Sequence, residues 1–475
     1  DAWSDSEGRV TLDTQQDYQL LETHQSEGFF LLFKRSFSTC DPHDYIIEAS
    51  TVHIIYAMLE HPILSLHELN ISRLQPGVQR VLLLRPDTPS PHLPKDVRTL
   101  EVLAPDVIIP TQETTYWCHI YQLPPNLPKN HIVMYESVIT PGNEAIVHHI
   151  EVFECSPQMD IVPQYSGSCD SKMKPRNLNY CRHVLAAWAM GAEVCKLLYL
   201  NIDLLSFLNA NSFFLHSLCV FVAGRRDSSG IRLWYSPSLR RFDAGIMELG
   251  LVYTPVMAIP PRQRSFQLTG YCTAKCTQTA LPVGGIHIFA SQLHTHLAGL
   301  GVRTVLVRGG QEVEVVQEDK HFSTHYQVST NITNVSQLYP KISQTSVQTL
   351  NTPPQRLTGN KAPLTDSCQS IHPHSLSDCI NLKPTGGNEL FLLYCRFQGR
   401  ESCSCPQTSV EEQFSSVSWD SFSGEVLNSL YVTAPFSMHC NQSTAQLFPG
   451  DWEKQEIPVV TAQLQRAPYP CEINR

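Results

Sequence analysis

Two histidines near the middle of the chain, His294 and His296, have a spacing that could support chemistry. They lie in the segment GIHIFASQLHTHLAG. Side chains two residues apart in a strand point to the same face, so both imidazoles could bind one metal ion. The alternative is a half-exposed strand whose polar side chains face water. Spacing alone does not decide between these interpretations.

A second pair, His148 and His149, is adjacent in EAIVHHIEVFEC. Neighbours in a regular strand face opposite sides, so these two could share an ion only at a β-bulge or a strong local twist. Taken alone, one buried and one exposed histidine is the simpler interpretation.

The chemistry open to two histidine sites depends on the metal. Zinc would suit hydrolysis, with three protein ligands and a water molecule. Imidazole also suits copper, and an added thioether favours Cu(I), which points to electron transfer or oxygen chemistry. The sequence contains no HExxH motif, nucleophile elbow or phosphate loop that would indicate another mechanism.

Composition indicates the compartment and narrows the partners. The 475 residues carry a formal net charge of −10 without a cluster of Lys and Arg, which disfavours nucleic acid as a partner. Sixteen cysteines spread along the chain indicate an oxidising compartment. The first ten residues are too polar for a signal peptide, so we expect the start to be missing or processed away. Possible glycan acceptors agree with secretion; they are Asn70, Asn331, Asn334 and Asn441.

The sequence predicts that the elements that position the two histidine pairs are mainly short strands. Segments such as GFFLLFKRSF, TVHIIYAML, AIVHHIEVFEC, IRLWYS and VRTVLVR are rich in β-branched and aromatic residues and are bounded by turn residues. This pattern predicts antiparallel sandwiches rather than βαβ units. The best candidate for a short helix is NYCRHVLAAWAMGAEVC.

Two regions do not look like sandwich sequence. Residues 196–224 are apolar, but the polar residues within them make a membrane span a poor interpretation. Residues 327–366 are polar and lack periodicity, which is typical of a loop or of disorder.

Several long segments carry a resemblance to a known family. They are YCRHVLAAWAMGA, DSSGIRLWYSPSLRRFDAGIMELGLVYTPVMAIPPR, GYCTAKCTQTALP, GIHIFASQLHTHLAG and CSCPQTSVEEQF. Together they closely resemble the copper type II ascorbate-dependent monooxygenases, and within them the branch that acts on dopamine. The opening segments DAWSDSEGRVTLDTQQDYQLL and FKRSFSTCDPHDYIIEASTVHIIYAMLEHP resemble the latter part of a DOMON module.

The resemblance implies an all-β fold. We expect a partial DOMON β-sandwich over residues 1–84 and a proline-rich linker over 85–96. Two jelly-roll-like β-sandwich domains should follow, the electron-transfer copper domain over 97–240 and the catalytic copper domain over 241–395. Residues 396–475 would form a C-terminal dimerisation region.

The resemblance also implies a reaction and its site residues. The reaction is hydroxylation of the benzylic carbon of dopamine to noradrenaline, with O2 as cosubstrate and electrons from ascorbate. His148 and His149 would bind the electron-transfer copper, and His294 and His296 the copper that activates oxygen. Tyr116 matches a tyrosine assigned to the family's active site, and a buried aromatic beside a disulfide is the other interpretation.

Two ligands of the family pattern are missing. The third histidine of the electron-transfer copper belongs to a VHYHNP strand, and here only His216 lies near that place, out of register by one residue. Such a slip turns a side chain to the opposite face, so His216 is a doubtful replacement. The methionine of an EEMC segment is also replaced, because the corresponding place reads TDSC, with Ser367 before Cys368. We therefore expect residues 196–224 and about 327–366 to be foreign to the fold.

The resemblance implies a set of disulfides and an assembly. The implied pairs are Cys40 with Cys471, Cys118 with Cys169, Cys155 with Cys181, Cys272 with Cys379, and Cys276 with Cys440. Cys403 and Cys405 match positions that link subunits, which implies a disulfide-linked homodimer or tetramer. The implied location is the lumen of secretory vesicles or the extracellular space, with a possible membrane anchor upstream of this chain.

Three hypotheses about function follow. The first is a copper monooxygenase acting on a small phenylethylamine substrate. The second is a catalytically inactive secreted glycoprotein of the same fold that acts as a binding or structural protein. The third is a zinc hydrolase. Copper stoichiometry and ascorbate-dependent oxygen uptake would separate them.

Overall fold

The structure is a computed structural model, and it describes most of the chain between residues 1 and 350. The described residues are 1–25, 28–57, 59, 61, 65–84, 93–111, 114–124, 127–155, 161–192, 195–196, 202–204, 213–221, 224–240, 242–247, 249–251, 259, 266–295, 298–338, 343–350, 419–425, 438–439 and 459–464. The chain forms two compact units. The first comprises Asp1–Thr88, Asp319–His321 and Gln465–Arg475, and the second Pro89–Glu318 and Phe322–Leu464.

The described part of the first unit contains three antiparallel strand pairs. Its strands are β1 (Ala2–Ser4), β2 (Val10–Leu12), β3 (Gln19–Gln25), β4 (Phe29–Lys34), β5 (Val52–Tyr56) and β6 (Gly77–Val81). β1 pairs with β2, β3 with β4, and β5 with β6. Two 3-10 turns, Leu66–Glu68 and Ile71–Arg73, precede β6. The Thr51 backbone N–H and hydroxyl both donate to the Asp319 carboxylate, which satisfies a buried charge.

The described part of the second unit contains the remaining strands, the α-helix Ala274–Ala280 and helical residues at 421–425. The strands up to residue 251 are β7 (Arg98–Leu103), β8 (Val107–Ile108), β9 (Thr114–Gln122), β10 (His131–Val138), β11 (Val147–Cys155), β12 (Ser166–Ser168), β13 (Cys181–Ala189), β14 (Cys195–Lys196), β15 (Ile202–Leu204), β16 (Phe213–Phe221), β17 (Arg226–Asp227), β18 (Gly230–Ser236), β19 (Phe242–Ala244) and β20 (Gly250–Leu251). After them come β21 (Phe266–Cys272), α1 (Ala274–Ala280), β22 (Ile286–Gln292), β23 (Gly301–Arg308), β24 (Gln311–Asp319), β25 (Ser329–Leu338), β26 (Ser343–Leu350) and β27 (Met438–His439). A 3-10 turn, Arg176–Tyr180, leads into β13.

Two sheets of the second unit form a β-sandwich. One sheet has the order β19-β15-β10-β18-β7, with β14 also paired to β10, and the other has the order β12-β9-β16-β11-β13. Inward-facing side chains of both sheets, among them Ile132, Ile150, Phe214, Leu218 and Ile231, are fully buried against one another. Each such side chain contributes about 1.5–3 kcal/mol by leaving water. This core packs against β11, which carries His148 and His149 and lies between β16 and β13 in its sheet.

The opposite face of the same sheet has its own small core. It contains Tyr116, Cys118, Ile120 and Leu215, together with the 3-10 turn residue Leu178. Disulfides between Cys118 and Cys169 and between Cys155 and Cys181 lie in this cluster. The five-stranded sheet is therefore fixed from both sides.

The later strands form smaller sheets. Four strands have the order β21-β26-β23-β24, while β22 pairs with β25 and β20 with β27. Val305, Leu306 and Val307 of β23 are buried. β22 ends at Gln292, two residues before His294. Among the described residues, no helix is both long and apolar enough to cross a membrane.

The all-β fold class predicted from the sequence is confirmed. The predicted helix is wrong, because CRHVLAAWA forms β13. The loop interpretation of residues 327–366 is also wrong for its first part, which contains β25 and β26. Residues 213–221, within the segment expected to be foreign, form the central strand β16 of the five-stranded sheet. The proposed C-terminal dimerisation region stays a prediction.

Candidate metal centre

His148 and His149 lie at the start of β11, where the strand is irregular. On the β16 side the pairing passes from Val147 opposite Val220 to His149 opposite Cys219, so one residue of β11 bulges out at His148. A bulge turns a side chain away from strict alternation and lets neighbours converge. The two Nδ1 atoms consequently lie 3.1 Å apart. The structure thus has the irregularity that shared ligation by adjacent histidines requires.

The separation of the two nitrogens fits a metal ion. Two imidazole nitrogens, each about 2.0–2.1 Å from one ion and about 100° apart around it, are separated by roughly 3.1 Å. The Nδ1 atoms of His148 and His149 have this separation. A ligand set of neutral imidazoles is one that copper accepts. The residues present therefore fit a copper ion.

The His148 side chain is buried and held in its neutral form. Burial first, and then the nearby His325 and His294, lower its pKa to about 4, although a hydrogen bond to the Thr324 backbone acts in the opposite direction. Only a neutral imidazole can bind a metal through its free lone pair. His148 is consequently ready to bind at neutral pH.

His294 follows β22, and its tautomer is fixed by a neighbour. Its Nδ1 lies 2.7 Å from Oε1 of Gln327. Because an amide oxygen only accepts, the proton is on Nδ1 and Nε2 is left for a ligand. Solvent reaches part of the side chain. Protein atoms packed around the imidazole still lower its pKa, against the effect of the Gln327 hydrogen bond.

The structure brings His294, one member of the second predicted pair, close to the first pair. The ring centroids of His149 and His294 are 6.4 Å apart, with the rings nearly perpendicular. His294 is thus part of one cluster with His148 and His149. His296 lies outside the described residues, as do Ser367 and Cys368.

Tyr116 belongs both to this cluster and to the disulfide core. Its ring centroid is 5.7 Å from that of His149. The side chain is buried beside the Cys118–Cys169 disulfide. The interpretation as a buried aromatic beside a disulfide is confirmed, and the active-site role of Tyr116 stays a prediction.

His216 is not part of the cluster. It pairs with Val152 on β11 and with His119 on β9, whereas the residue opposite His149 is Cys219. Three positions along a strand put His216 on the face opposite to that of residue 219. His216 is fully buried, and neither ring nitrogen has a hydrogen-bond partner in the described part of the chain. Burial, and then the charge of His119, lower its pKa to about 3.

The other predicted cysteine pairs are only partly described. Cys40 is disulfide-bonded, but its partner lies outside the described residues. Cys272 is buried at the end of β21. Cys276 belongs to α1. Their implied partners and the implied interchain cysteines also fall outside the described residues; they are Cys471, Cys379, Cys440, Cys403 and Cys405.

The predicted glycan acceptors lie in different settings. Asn70 caps a 3-10 turn, and its side-chain oxygen accepts a hydrogen bond from the Ser72 backbone. Asn331 and Asn334 belong to β25. Asn441 is outside the described residues.

Sequence reasoning missed two residues of the site, His325 and Gln327. Both lie in the loop between β24 and β25, in the segment HFSTHYQV. The ring of His325 is perpendicular to that of His148, with centroids 6.0 Å apart. His325 lies four residues after His321, a spacing that brings two side chains together on a helix, but this segment is not helical, so the spacing does not mark the site. Only the fold brings this loop to β11.

Comparison with known families gives matches over three parts of the chain. Residues 100–198 match the N-terminal domain of the copper type II ascorbate-dependent monooxygenases, and residues 242–344 match the C-terminal domain of that family. Residues 1–59 match the DOMON domain. His148 and His149 fall in the first of these matches, and His294 and His325 in the second.

The chain is also similar to curated proteins over its whole length. It is 51% identical to the dopamine beta-hydroxylase of Bos taurus, over 100% of this chain and 80% of that protein. The identity to the human dopamine beta-hydroxylase is also 51%, over 100% of this chain and 79% of the relative. A tyramine beta-hydroxylase of Caenorhabditis briggsae is 34% identical over 69% of this chain and 57% of that protein.

Proposed function

Because the chain belongs to the copper type II ascorbate-dependent monooxygenases, we propose that it hydroxylates the benzylic carbon of dopamine to give noradrenaline. In this reaction one atom of O2 enters the carbon–hydrogen bond. The other is reduced to water by two electrons, which come from ascorbate, and two protons. The similarity to dopamine beta-hydroxylases over the full chain supports dopamine among small phenylethylamines.

The single observation that carries the proposal is the convergence of His148 and His149 beside His294. We assign His148 and His149 to the electron-transfer copper, and His294 with His296 to the copper that activates oxygen. Copper would supply the one-electron chemistry that links a donor of single electrons to a reaction that needs two. The bulge in β11 positions the first pair, Gln327 fixes the ring of His294, and Tyr116 packs against His149.

The proposal includes the domain boundaries and the assembly. The domains are residues 1–84, 97–240, 241–395 and 396–475, with a linker at 85–96. Cys403 and Cys405 would link subunits into a homodimer or tetramer. The compartment is the secretory vesicle lumen or the extracellular space, and anchorage through a segment upstream of residue 1 is part of the same proposal. Disulfides in the second unit support an oxidising compartment.

Copper content and oxygen uptake test the proposal together. The purified chain should bind two copper ions and consume O2 with dopamine only when ascorbate is present. His294→Ala should abolish uptake, while His287→Ala, at an exposed histidine of β22, should leave it unchanged. A protein with one copper or none and no uptake would instead be the inactive glycoprotein. Bound zinc and hydrolysis that is lost in His294→Ala would favour the hydrolase.

A further inference from the structure

The copper assigned to His148 and His149 needs a third ligand. Among the described histidine side chains of their five-stranded sheet, none is placed to provide it. His216 lies three positions along β16 from Cys219, the residue opposite His149, so its side chain belongs to the other face of the sheet. His119 pairs with His216 from β9 and shares that other face. Copper sites of this kind have three or more protein ligands. Besides that of His149, the imidazole of His325 lies close to His148, with ring centroids 6.0 Å apart.

We propose that His325 supplies the third imidazole to the copper held by His148 and His149. The site would then be closed by a loop from the C-terminal copper domain, since His325 falls in the segment that matches that domain and the other two ligands fall in the N-terminal one. This inference rests on the proposed function, because it assumes that the pair binds copper.

The distances between the rings fit three imidazoles on one ion. If each nitrogen is about 2.0–2.1 Å from the metal, the centroids of two bound imidazoles are roughly 4.5 to 6.4 Å apart. The centroids of His148 and His149 are 5.4 Å apart, with an angle of 71° between the rings. Those of His148 and His325 are 6.0 Å apart, with an angle of 90°. Both separations lie inside the range.

The loop that carries His325 is fixed to β11 through the backbone. The Met190 N–H donates to the His148 carbonyl at 2.8 Å, and the Gln327 N–H donates to the Met190 carbonyl at 3.3 Å. The Thr324 carbonyl accepts from the Gln327 side-chain amide at 2.8 Å, which holds the segment on both sides of His325 in one loop. Two backbone hydrogen bonds therefore link His148 through Met190 to Gln327, two residues after His325.

A glycine allows this close approach. Gly191 has a φ of +88°, and a Cβ atom there would lie 2.8 Å from the Tyr326 Cα and 3.0 Å from the His325 carbonyl oxygen. Only a residue without a side chain lets the two backbones meet at this distance. The turn after β13 thus sets the position of His325 relative to His148.

The position of His325 also suits an electron-transfer site. Its side chain is exposed, whereas His148 is buried. The third ligand would therefore be the one at the solvent side of the copper. A small donor such as ascorbate would approach the ion from this side.

The test compares copper binding by wild-type protein, His325→Ala and His148→Ala, with His287→Ala as the control at another exposed histidine. Copper affinity is measured by competition with a chelator, and the number of imidazoles at copper by X-ray absorption. Because loss of an outer-shell partner costs 10–100-fold, loss of a ligand should cost at least about 100-fold in affinity for one of the two coppers. His325→Ala and His148→Ala should lose the same copper, and His287→Ala should lose none.

A second variant makes the test independent of loss of binding. His325→Met offers a thioether, so a sulfur scatterer should enter the shell of Cu(I) in the X-ray absorption spectrum. Unchanged affinity and imidazole count in His325→Ala, with copper lost in His148→Ala, would overturn this inference and leave the proposed function intact. A wild-type protein that binds no copper would overturn both.

Discussion

The His294 imidazole and the Gln327 side chain are joined by a hydrogen bond of 2.7 Å between Nδ1 and Oε1. Gln327 is 1% exposed, and its amide is oriented by a second bond, from Nε2 to the Thr324 carbonyl at 2.8 Å. Because the nitrogen must face that carbonyl, the oxygen faces His294. The backbone of the loop thereby determines which nitrogen of His294 is available to a metal.

We expect Gln327→Leu to weaken copper binding at His294 by about 10–100-fold, because the ring loses the partner that fixes its tautomer and orientation. Gln327→Glu keeps an acceptor for Nδ1 but loses the donor to the Thr324 carbonyl, so its affinity should lie between those of the wild type and Gln327→Leu. Competition with a chelator measures both. Gln292→Leu is the matched control, since it removes a 3.1 Å bond to the Gln327 carbonyl without touching the imidazole. Equal losses in Gln327→Leu and Gln292→Leu would mean that Gln327 acts only by holding the loop.

Gly191→Ala should move the loop that carries His325 and Gln327, because its Cβ would meet the Tyr326 Cα at 2.8 Å. Gly142→Ala is a close control: its φ of +87° carries the same backbone strain, of about 1–2 kcal/mol, but nothing lies within 4 Å of the added Cβ. Melting temperatures should fall in both variants. Copper affinity should fall only in Gly191→Ala, and an equal loss in both would contradict the role assigned to the contact.

The parts of the site that sequence could predict are local. The need for a bulge at His148 follows from strand periodicity, and β11 has that bulge. The strand expected to carry His294 and His296 is wrong at His294, because β22 ends at Gln292. Strands such as β18 and β23 can be predicted because their segments are rich in β-branched and aromatic residues and are bounded by turn residues. β13 is mainly apolar because both of its faces are largely buried. A continuous apolar run does not distinguish a buried strand from a buried helix, so the sequence predicts a helix there.

The remaining parts depend on contacts between distant segments. β25 and β26 are polar, and no pattern of their own marks them as strands; they form by pairing with β22, and with β21 and β23. His325 is 177 positions after His148 in the chain, and no spacing relates the two. His148 and His325 are brought together by two backbone hydrogen bonds, from Met190 to His148 and from Gln327 to Met190. These bonds form only in the folded chain.

His216→Leu should stabilise the protein and leave copper binding unchanged. Burial of a polar group without a partner costs about 1–3 kcal/mol, and leucine of similar size removes that cost. The gain should increase below pH 6.5. With a folded-state pKa of about 3, the unfolded chain binds a proton on this residue that the folded protein does not, so wild-type stability falls as pH falls from 6.5 towards 3. Thermal unfolding at pH 5 and pH 8 measures this, and loss of copper in His216→Leu would contradict its position away from the site.

Glu154→Gln should change the pH dependence of stability in the opposite sense. Burial raises the pKa of the Glu154 carboxyl from 4.5 to about 7. Between these values the unfolded chain has lost its proton while the folded protein retains it, so the free energy of unfolding of the wild type falls as pH rises through this window and is level above it.

Glutamine cannot ionise, so the variant should melt about 1–3 °C above the wild type at pH 8 and show little difference at pH 4.5. Glu425→Gln, at an exposed glutamate, is the control and should follow the wild type at both pH values. Parallel curves for wild type and Glu154→Gln would mean that the carboxylate is solvated in the folded protein.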